Sequence, residues 1–289
     1  MRAPRMLVSA ATMLSSALTR HAAAIVALTV PLLCAGSARA AERILIKDGG
    51  VTLRAMLYRP AAGKEPAPAV VALHGCGGLW TKSGRITERF DEWGERLMKA
   101  GFAVVFPDSF GSRNQGSQCS NAKRDIHSSR ERVADAIAAR RWLQSQPWVK
   151  PDRVSVIGWS NGATTTLYTI REKGSQPQPG FHSAIALYPG CKTLQRLGWK
   201  SSVPTLLLLG GADDWTPAKP CQDLAAGTAG RKPEVVTYPG AYHGFDGTSP
   251  VRERKGLAFT GDNSGTAHAG TNEPARADAI KRVPQWLSQ

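Results

Sequence analysis

The sequence predicts an α/β fold, a mostly parallel central sheet with helices on both faces and no large cap domain. Three observations predict it. Short unbroken apolar runs recur at 69–73, 102–106, 154–157, 183–188 and 205–209, and strands covered on both faces read this way rather than as alternating patterns. Amphipathic stretches of helical spacing stand between several of them, as helices that cross from one parallel strand to the next. Gly or Pro follows within two residues of every run, where a strand must turn into its helix.

The first forty residues stand apart from this pattern. Arg2, Arg5 and Arg20 precede or flank an apolar run at 22–33, and Ala38-Arg39-Ala40 puts small residues at the cleavage positions, the layout of a secretory signal peptide over 1–40. The run is too short for a transmembrane helix. The mature chain is expected to begin near Ala41, without an anchor, and to form one domain over 41–289.

From there the elements follow in order. Residues 44–47 and 51–58, split by Asp48-Gly49-Gly50, read as an opening hairpin, and 69–73 is the first buried strand, ending at His74-Gly75-Cys76-Gly77-Gly78. A helix is expected over 86–99, with Phe90, Trp93, Leu97 and Met98 near helical spacing and Gly101 as its stop. The strand at 102–106 closes at Pro107-Asp108, and the polar, Gly-rich 109–121 reads as a loop. A long helix is expected over 124–146, with Val133, Ile137, Trp142 and Leu143 on its apolar side, then strands at 154–157, 183–188, 205–209 and 234–238 and a closing helix over 275–287. After Leu167 no block is large enough for a lid, so the site is expected to be open and uncapped.

Charge and cysteine content narrow the function classes. The formal net charge is +15, and loss of Arg2, Arg5, Arg20 and Arg39 with the signal peptide leaves +11. Such a balance draws a protein toward acidic envelope surfaces or anionic substrates. Nucleic acid is not the expected partner, because the basic residues are scattered and no nucleic-acid-binding motif is present. Four cysteines remain after 41: Cys76, Cys119, Cys191 and Cys221. An even count in an exported chain favours disulfides, and chain order alone leaves three connectivities open. No Cys-x-x-Cys spacing supports a metal site.

Gly158-Trp159-Ser160-Asn161-Gly162 carries the chemistry. Five residues alone say little, but an apolar run precedes these and a small-residue run follows, the context of a sharp strand-to-helix turn. A serine on such a turn sits in a strained backbone, and the flanking glycines let strand and helix approach closely enough to expose its hydroxyl. The motif resembles the nucleophile elbow of α/β-hydrolases. Serine at its free pKa is a weak nucleophile and needs an imidazole oriented by a carboxylate, and in that fold the order is Ser, acid, His. Asp213 and Asp214 both follow the strand at 205–209. The Gly-x-x-Asp spacing with Pro217 four residues on resembles the acid loop of many α/β-hydrolases, and that resemblance selects Asp213. Among six histidines, His21 lies in the signal peptide, His127 on a predicted helix, His182 before a strand, His268 in a polar loop, and His74 in the Gly-rich turn. His243, directly after the last strand, is the expected base.

Two backbone amides should receive the negative oxygen of a tetrahedral intermediate. Asn161, next to the nucleophile, and Cys76, in the turn after the first buried strand, are the expected donors. Trp80, Trp159, Trp215 and Tyr188-Pro189-Gly190 are candidates for the substrate pocket, though Trp159 suits a core role equally. Arg113 and Lys123 are candidates for holding a substrate carboxylate. In this fold, Cys76 with Cys119 and Cys191 with Cys221 would each join loops at the ends of neighbouring strands, and these are the expected disulfides.

Taken with the acid loop and the segment His243-Gly244-Phe245, the chain resembles the dienelactone hydrolase family of α/β-hydrolases from about 41 to 287. The resemblance implies cofactor-free hydrolysis of small esters or lactones on Ser160, Asp213 and His243. Members proper carry a cysteine at the elbow, where this chain has Ser160, and a glutamate where it has Cys76, so an exported, periplasmic or secreted serine carboxylesterase is the expected variant. An acyltransferase or peptidase on the same three residues, or a non-catalytic binding protein on the same scaffold, are the alternatives.

Overall fold

The computed structural model describes residues 41–60, 66–172 and 180–289. The expected signal peptide over 1–40 lies outside the described residues. Strands β1 (Glu42–Asp48) and β2 (Val51–Tyr58) form the opening hairpin. Its two-residue connection uses Gly49 and Gly50 at φ +52° and +87°, the left-handed pair that a tight antiparallel turn requires. Then follow β3 (Ala67–Leu73), β4 (Ala103–Pro107), β5 (Val149–Trp159), β6 (Ala184–Leu187), β7 (Thr205–Gly210) and β8 (Glu234–Tyr238). The eight strands lie in the order β1-β2-β4-β3-β5-β6-β7-β8, parallel from β4 to β8. The chain leaves β3 to one side for β4 and returns to the other for β5. Ligand sites of open α/β sheets gather at the carboxyl ends of strands where the winding reverses in this way.

Alternation along β3 sorts the core into two layers. Val71 and Leu73 face helices α2 (Glu131–Gln144), α3 (Asn161–Thr169) and α5 (Ala218–Gly227) through Ala136, Ala139, Leu143, Leu167 and Leu224. Val70 and Ala72 face α1 (Glu88–Lys99) and α6 (Glu273–Ser288) through Phe90, Trp93, Leu97 and Val283. Both faces of the sheet are therefore covered, which explains why its strands read as continuous apolar runs. A short helix, α4 (Lys192–Arg196), precedes β7.

Two elements differ from the sequence expectation. The second long helix begins at Glu131 and not at 124, so His127 lies in the turn before it. The Glu131 carboxylate accepts the His127 N–H at 2.7 Å, and the Arg124 guanidinium folds back onto the Gln118 and Asn121 carbonyls. These polar contacts hold 118–130 as a structured loop in place of two more helical turns. The polar stretch near the C-terminus also contains a two-stranded ribbon, β9 (Arg252–Arg254) with β10 (Ala267–Ala269). It is a narrow rim, so the expectation of no large cap holds. Among the described residues no helix is long and apolar enough to cross a membrane.

Candidate active site

Strand β5 runs straight into α3, and Ser160 stands at the joint with φ 54° and ψ −117°. For a non-glycine residue this conformation costs on the order of 1–3 kcal/mol, and its surroundings impose it. A Cβ on Gly158 would lie 2.4 Å from the Gly162 backbone, and one on Gly162 only 2.0 Å from the Leu73 carbonyl oxygen. Only glycine fits either position. The close packing that they permit turns the Ser160 side chain up at the sheet's carboxyl edge.

The three residues that the sequence singled out meet there. His243 Nε2 is 2.8 Å from Ser160 Oγ, and His243 Nδ1 is 2.9 Å from Asp213 Oδ2. Asp213 is fixed from its other side: Oδ1 accepts the backbone N–H of Trp215 at 2.9 Å and of Thr216 at 2.8 Å. The Thr216 hydroxyl lies 3.0 Å from Asp213 Oδ2 and 3.0 Å from the Tyr188 carbonyl. Asp213 and His243 are both buried, so their polar atoms depend on these partners. Asp214, one residue on, faces away and accepts from His268, through Nδ1 at 2.7 Å and the backbone N–H at 2.8 Å. His268 is thus on strand β10, bound to the second aspartate, and not in a loop remote from strands. The ribbon that carries it is stitched to the His243 loop, because Gly270 N–H donates to the His243 carbonyl at 2.9 Å.

Beneath the imidazole lies a network that sequence reasoning missed. Asp246, fully buried, accepts from Trp93 Nε1 (2.8 Å), Trp159 Nε1 (2.9 Å) and Tyr188 Oη (2.6 Å). Burial pushes the Tyr188 phenol well above its usual pKa, with Asp246 adding to the shift, so it keeps its proton and donates it. Its ring lies 4.6 Å from that of His243, and Trp215 stands at 4.6 Å on the imidazole as well. Trp159 therefore belongs to the core. Trp215 lines the cavity with Ser160 and His243, while Trp80 lines the neighbouring one.

The predicted anion donors are set by one buried cation. Asn161 is the first residue of α3, so its N–H has no partner inside the helix, and Cys76 lines the cavity beside Ser160. Arg132, with no exposure, donates to the Asn161 Oδ1 and to the His74 carbonyl, thereby bracing both segments. Burial pushes its pKa down to about 9, and Asp135 opposes that shift. Arg132 stands one turn before Ala136 and two before Ala139 on the buried stripe of α2; a charge at that spacing was the available signal. His74, also buried, donates from Nδ1 to the Gly75 carbonyl and accepts the Ser109 N–H at Nε2. Burial, then the nearby Arg132, lowers its pKa well below the ordinary value, which keeps it neutral.

The cysteines stand in the expected pairs, with S–S distances of 2.03 Å for Cys76–Cys119 and 2.07 Å for Cys191–Cys221. The first ties the glycine turn to the 109–121 loop at the cavity wall. Arg113 is not available to a substrate, because it forms a bidentate pair with the buried Asp135 at 2.7 and 2.9 Å. Lys123 does not line the cavity that holds Ser160. That cavity measures about 590 Å³, and Arg254 of the ribbon and Leu257, just after β9, are among its lining residues. Among the described residues no group of three or more His, Cys, Asp or Glu side chains is arranged to hold a metal ion.

Comparison with known proteins gives the family and relatives of the same fold. The family model for the dienelactone hydrolase family matches residues 53–289. A probable 2-oxo-3-(5-oxofuran-2-ylidene)propanoate lactonase of a Bradyrhizobium species is 27% identical over 214 residues, covering 69% of this chain and 82% of that protein. The uncharacterized peptidase YuxL of Bacillus subtilis is 23% identical over 239 residues; the match covers 72% of this chain but only 36% of that protein's length. Among solved structures, a putative dienelactone hydrolase from Klebsiella pneumoniae superposes with a TM-score of 0.60 at 21% identity, covering 86% of this chain and 98% of that one. Esterase 2 of Thermogutta terrifontis with propionate bound gives 0.57 at 20% identity, covering 87% and 95%. At these identities the structural likeness is one of fold.

Proposed function

The chain belongs to the dienelactone hydrolase family, and from that premise we propose that it is an exported serine hydrolase that cleaves small carboxylic esters or lactones through an acyl-enzyme. The observation that carries this reading is the single imidazole hydrogen-bonded to Ser160 on one nitrogen and to Asp213 on the other. The Asp213 carboxylate accepts from Nδ1–H and so leaves Nε2 as the acceptor facing the serine. Ser160 Oγ attacks the carbonyl carbon as its proton passes to Nε2. The oxygen that gains the negative charge is received by the backbone N–H groups of Cys76 and Asn161. His243 then gives the proton to the leaving oxygen; water, deprotonated in turn by His243, attacks the acyl carbon, and the acyl–Oγ bond breaks as His243 returns that proton to Ser160 Oγ and the acid leaves.

Small esters suit a cavity of this size. The Bradyrhizobium lactonase supports cyclic esters as substrates, whereas Ser160 at the elbow favours open-chain esters over the dienelactone itself. Export rests on the 1–40 pattern and on two cysteine pairs at bonding distance, which persist in oxidising compartments. The basic mature surface suits association with acidic envelope polymers. The YuxL match supports a peptidase as the second reading.

A fluorophosphonate probe tests the nucleophile. The expected result is labelling of the 41–289 chain that Ser160→Ala abolishes and that His243→Ala slows by about 10⁴-fold. Labelling that survives Ser160→Ala refutes the assignment. Panels of p-nitrophenyl esters, lactones and peptide anilides then separate esterase from peptidase. Thiol counting under denaturing, non-reducing conditions should find none free in the chain from 41; four free thiols would remove the disulfides and the strongest structural support for export.

A further inference from the structure

A second cavity lies beside the catalytic one and does not contain Ser160. It measures about 690 Å³ and adjoins the catalytic cavity at the glycine turn, because Gly77 and Gly78 line both. Its walls are apolar in part: Leu45 of edge strand β1, with 58% of its surface exposed, lines it together with Trp80 and Phe110. Isolated surface leucines are ordinary, but this one shares a concave wall with an indole and three cations.

Those cations are Arg43, Arg54 and Lys82. The acid in the same wall, Asp108, is buried and already engaged. It accepts from Trp80 Nε1 at 2.8 Å and from Gly111 N–H at 2.8 Å, and Arg54 lies 3.6 Å from it. Arg54 therefore has an acidic partner. Arg43 is held in place over the Trp80 ring, 4.9 Å from its centroid, and bonds only to the Gly84 carbonyl among the described residues. Lys82 has no polar partner among the described residues. The cavity therefore presents two uncompensated positive charges above an apolar floor, next to the hydroxyl that attacks the ester.

We propose that this cavity is a subsite for the distal part of the substrate and that it takes an amphipathic anion, a flat aryl body bearing a carboxylate or sulfonate. Leu45 and the apolar wall receive the ring, and Arg43, held over the Trp80 indole, and Lys82 face the charge. A small inorganic anion would leave most of this volume unfilled, whereas an aryl acid fits the 300–1,000 Å³ usual for small-molecule sites. The shared glycine turn lets one molecule reach from this subsite to Ser160. The proposal rests on the hydrolase reading and names its substrate class.

Calorimetric titration of the Ser160→Ala protein with naphthoate, against the neutral naphthamide, reads the site without turnover. Naphthoate is expected to bind about tenfold more tightly than naphthamide, and Arg43→Gln/Lys82→Gln is expected to erase that difference. Leu45→Asp should weaken both ligands, and it leaves the Arg43 contact with the 80–86 turn intact. In the wild-type background, Arg43→Gln/Lys82→Gln should raise KM about tenfold for the mono-p-nitrophenyl ester of terephthalate and leave p-nitrophenyl acetate turnover unchanged. Naphthoate binding that is absent, or indifferent to these charges, with acetate turnover intact refutes the subsite alone. Absent acetate turnover with charge-dependent naphthoate binding refutes the hydrolase reading instead.

Discussion

Replacing Arg132 by Met separates catalysis from stability in a way that the structure makes quantitative. The guanidinium gives up two hydrogen bonds, to Asn161 Oδ1 and the His74 carbonyl. At about 1.5–3 kcal/mol for each bond from a charged donor, the loss is about 3–6 kcal/mol. Against this stands the burial of the charge. Its pKa falls from the usual guanidinium value to about 9, and at about 1.4 kcal/mol per tenfold change that costs on the order of 5 kcal/mol, which Met returns. The two effects nearly cancel. Nε, buried without a partner among the described residues, adds nothing to the loss, and Met can still pack against Phe110 as the guanidinium does. Stability should therefore change by no more than about 2 kcal/mol. Catalysis should not be spared, because both segments that supply the proposed anion donors lose their common brace. Misplacing such donors costs about 10²–10³ in kcat. The assay is urea unfolding beside steady-state hydrolysis of p-nitrophenyl butyrate, with KM expected within about threefold of wild type. Wild-type kcat in a folded Arg132→Met protein would refute the bracing role. A stability loss beyond about 4 kcal/mol would instead make Arg132 a structural residue, and Arg132→Lys, which keeps charge and donors, should then restore stability and kcat together.

Adjacent aspartates should behave oppositely. Asp213→Asn disturbs the imidazole's tautomer and is expected to lower kcat about 10⁴-fold, whereas Asp214→Asn touches only His268 and the ribbon and should leave kcat within about threefold; the reverse ranking in steady-state kinetics would overturn the assignment of roles. The buried His74 gives a pH prediction with a definite sign. Its folded pKa lies below the ordinary 6.5, so the unfolded chain binds the proton first, and its contribution to stability is complete above about pH 6.5 and is lost as pH falls below it, at up to about 1.4 kcal/mol per pH unit. Urea unfolding at several pH values between 5 and 8 should show a shallower acid slope for His74→Gln, and equal slopes would show that His74 titrates alike in both states.

Much of this site was legible before any coordinates. Ser160 and Asp213 follow buried strands and His243 follows the edge strand β8, and a parallel sheet collects such positions at one edge regardless of their distance in sequence. The neighbouring residues were harder to read. Asp214 and His268 are a pair only because a ribbon of three-residue strands folds back over the acid loop, and strands so short leave no periodic pattern. Arg113 looked free because the sequence does not reveal that Asp135, on the next helix, faces it. The expected helix start at 124 failed where side chains captured backbone groups, a competition invisible to apolar spacing.

Sequence alone settled which residues could be buried and where the chain must turn: apolar runs dictate the strands, and Gly158 and Gly162 dictate an elbow, because no other residue survives contacts of 2.0–2.4 Å. Tertiary structure decided the rest. Whether a cation braces a loop, pairs with an acid or faces an open cavity depends on which surfaces the sheet brings together, and Arg132, Arg113 and Arg43 differ in that alone. Hydrophobic pattern is a local property that each segment carries with it, whereas the partner of a charge is chosen only when distant segments meet.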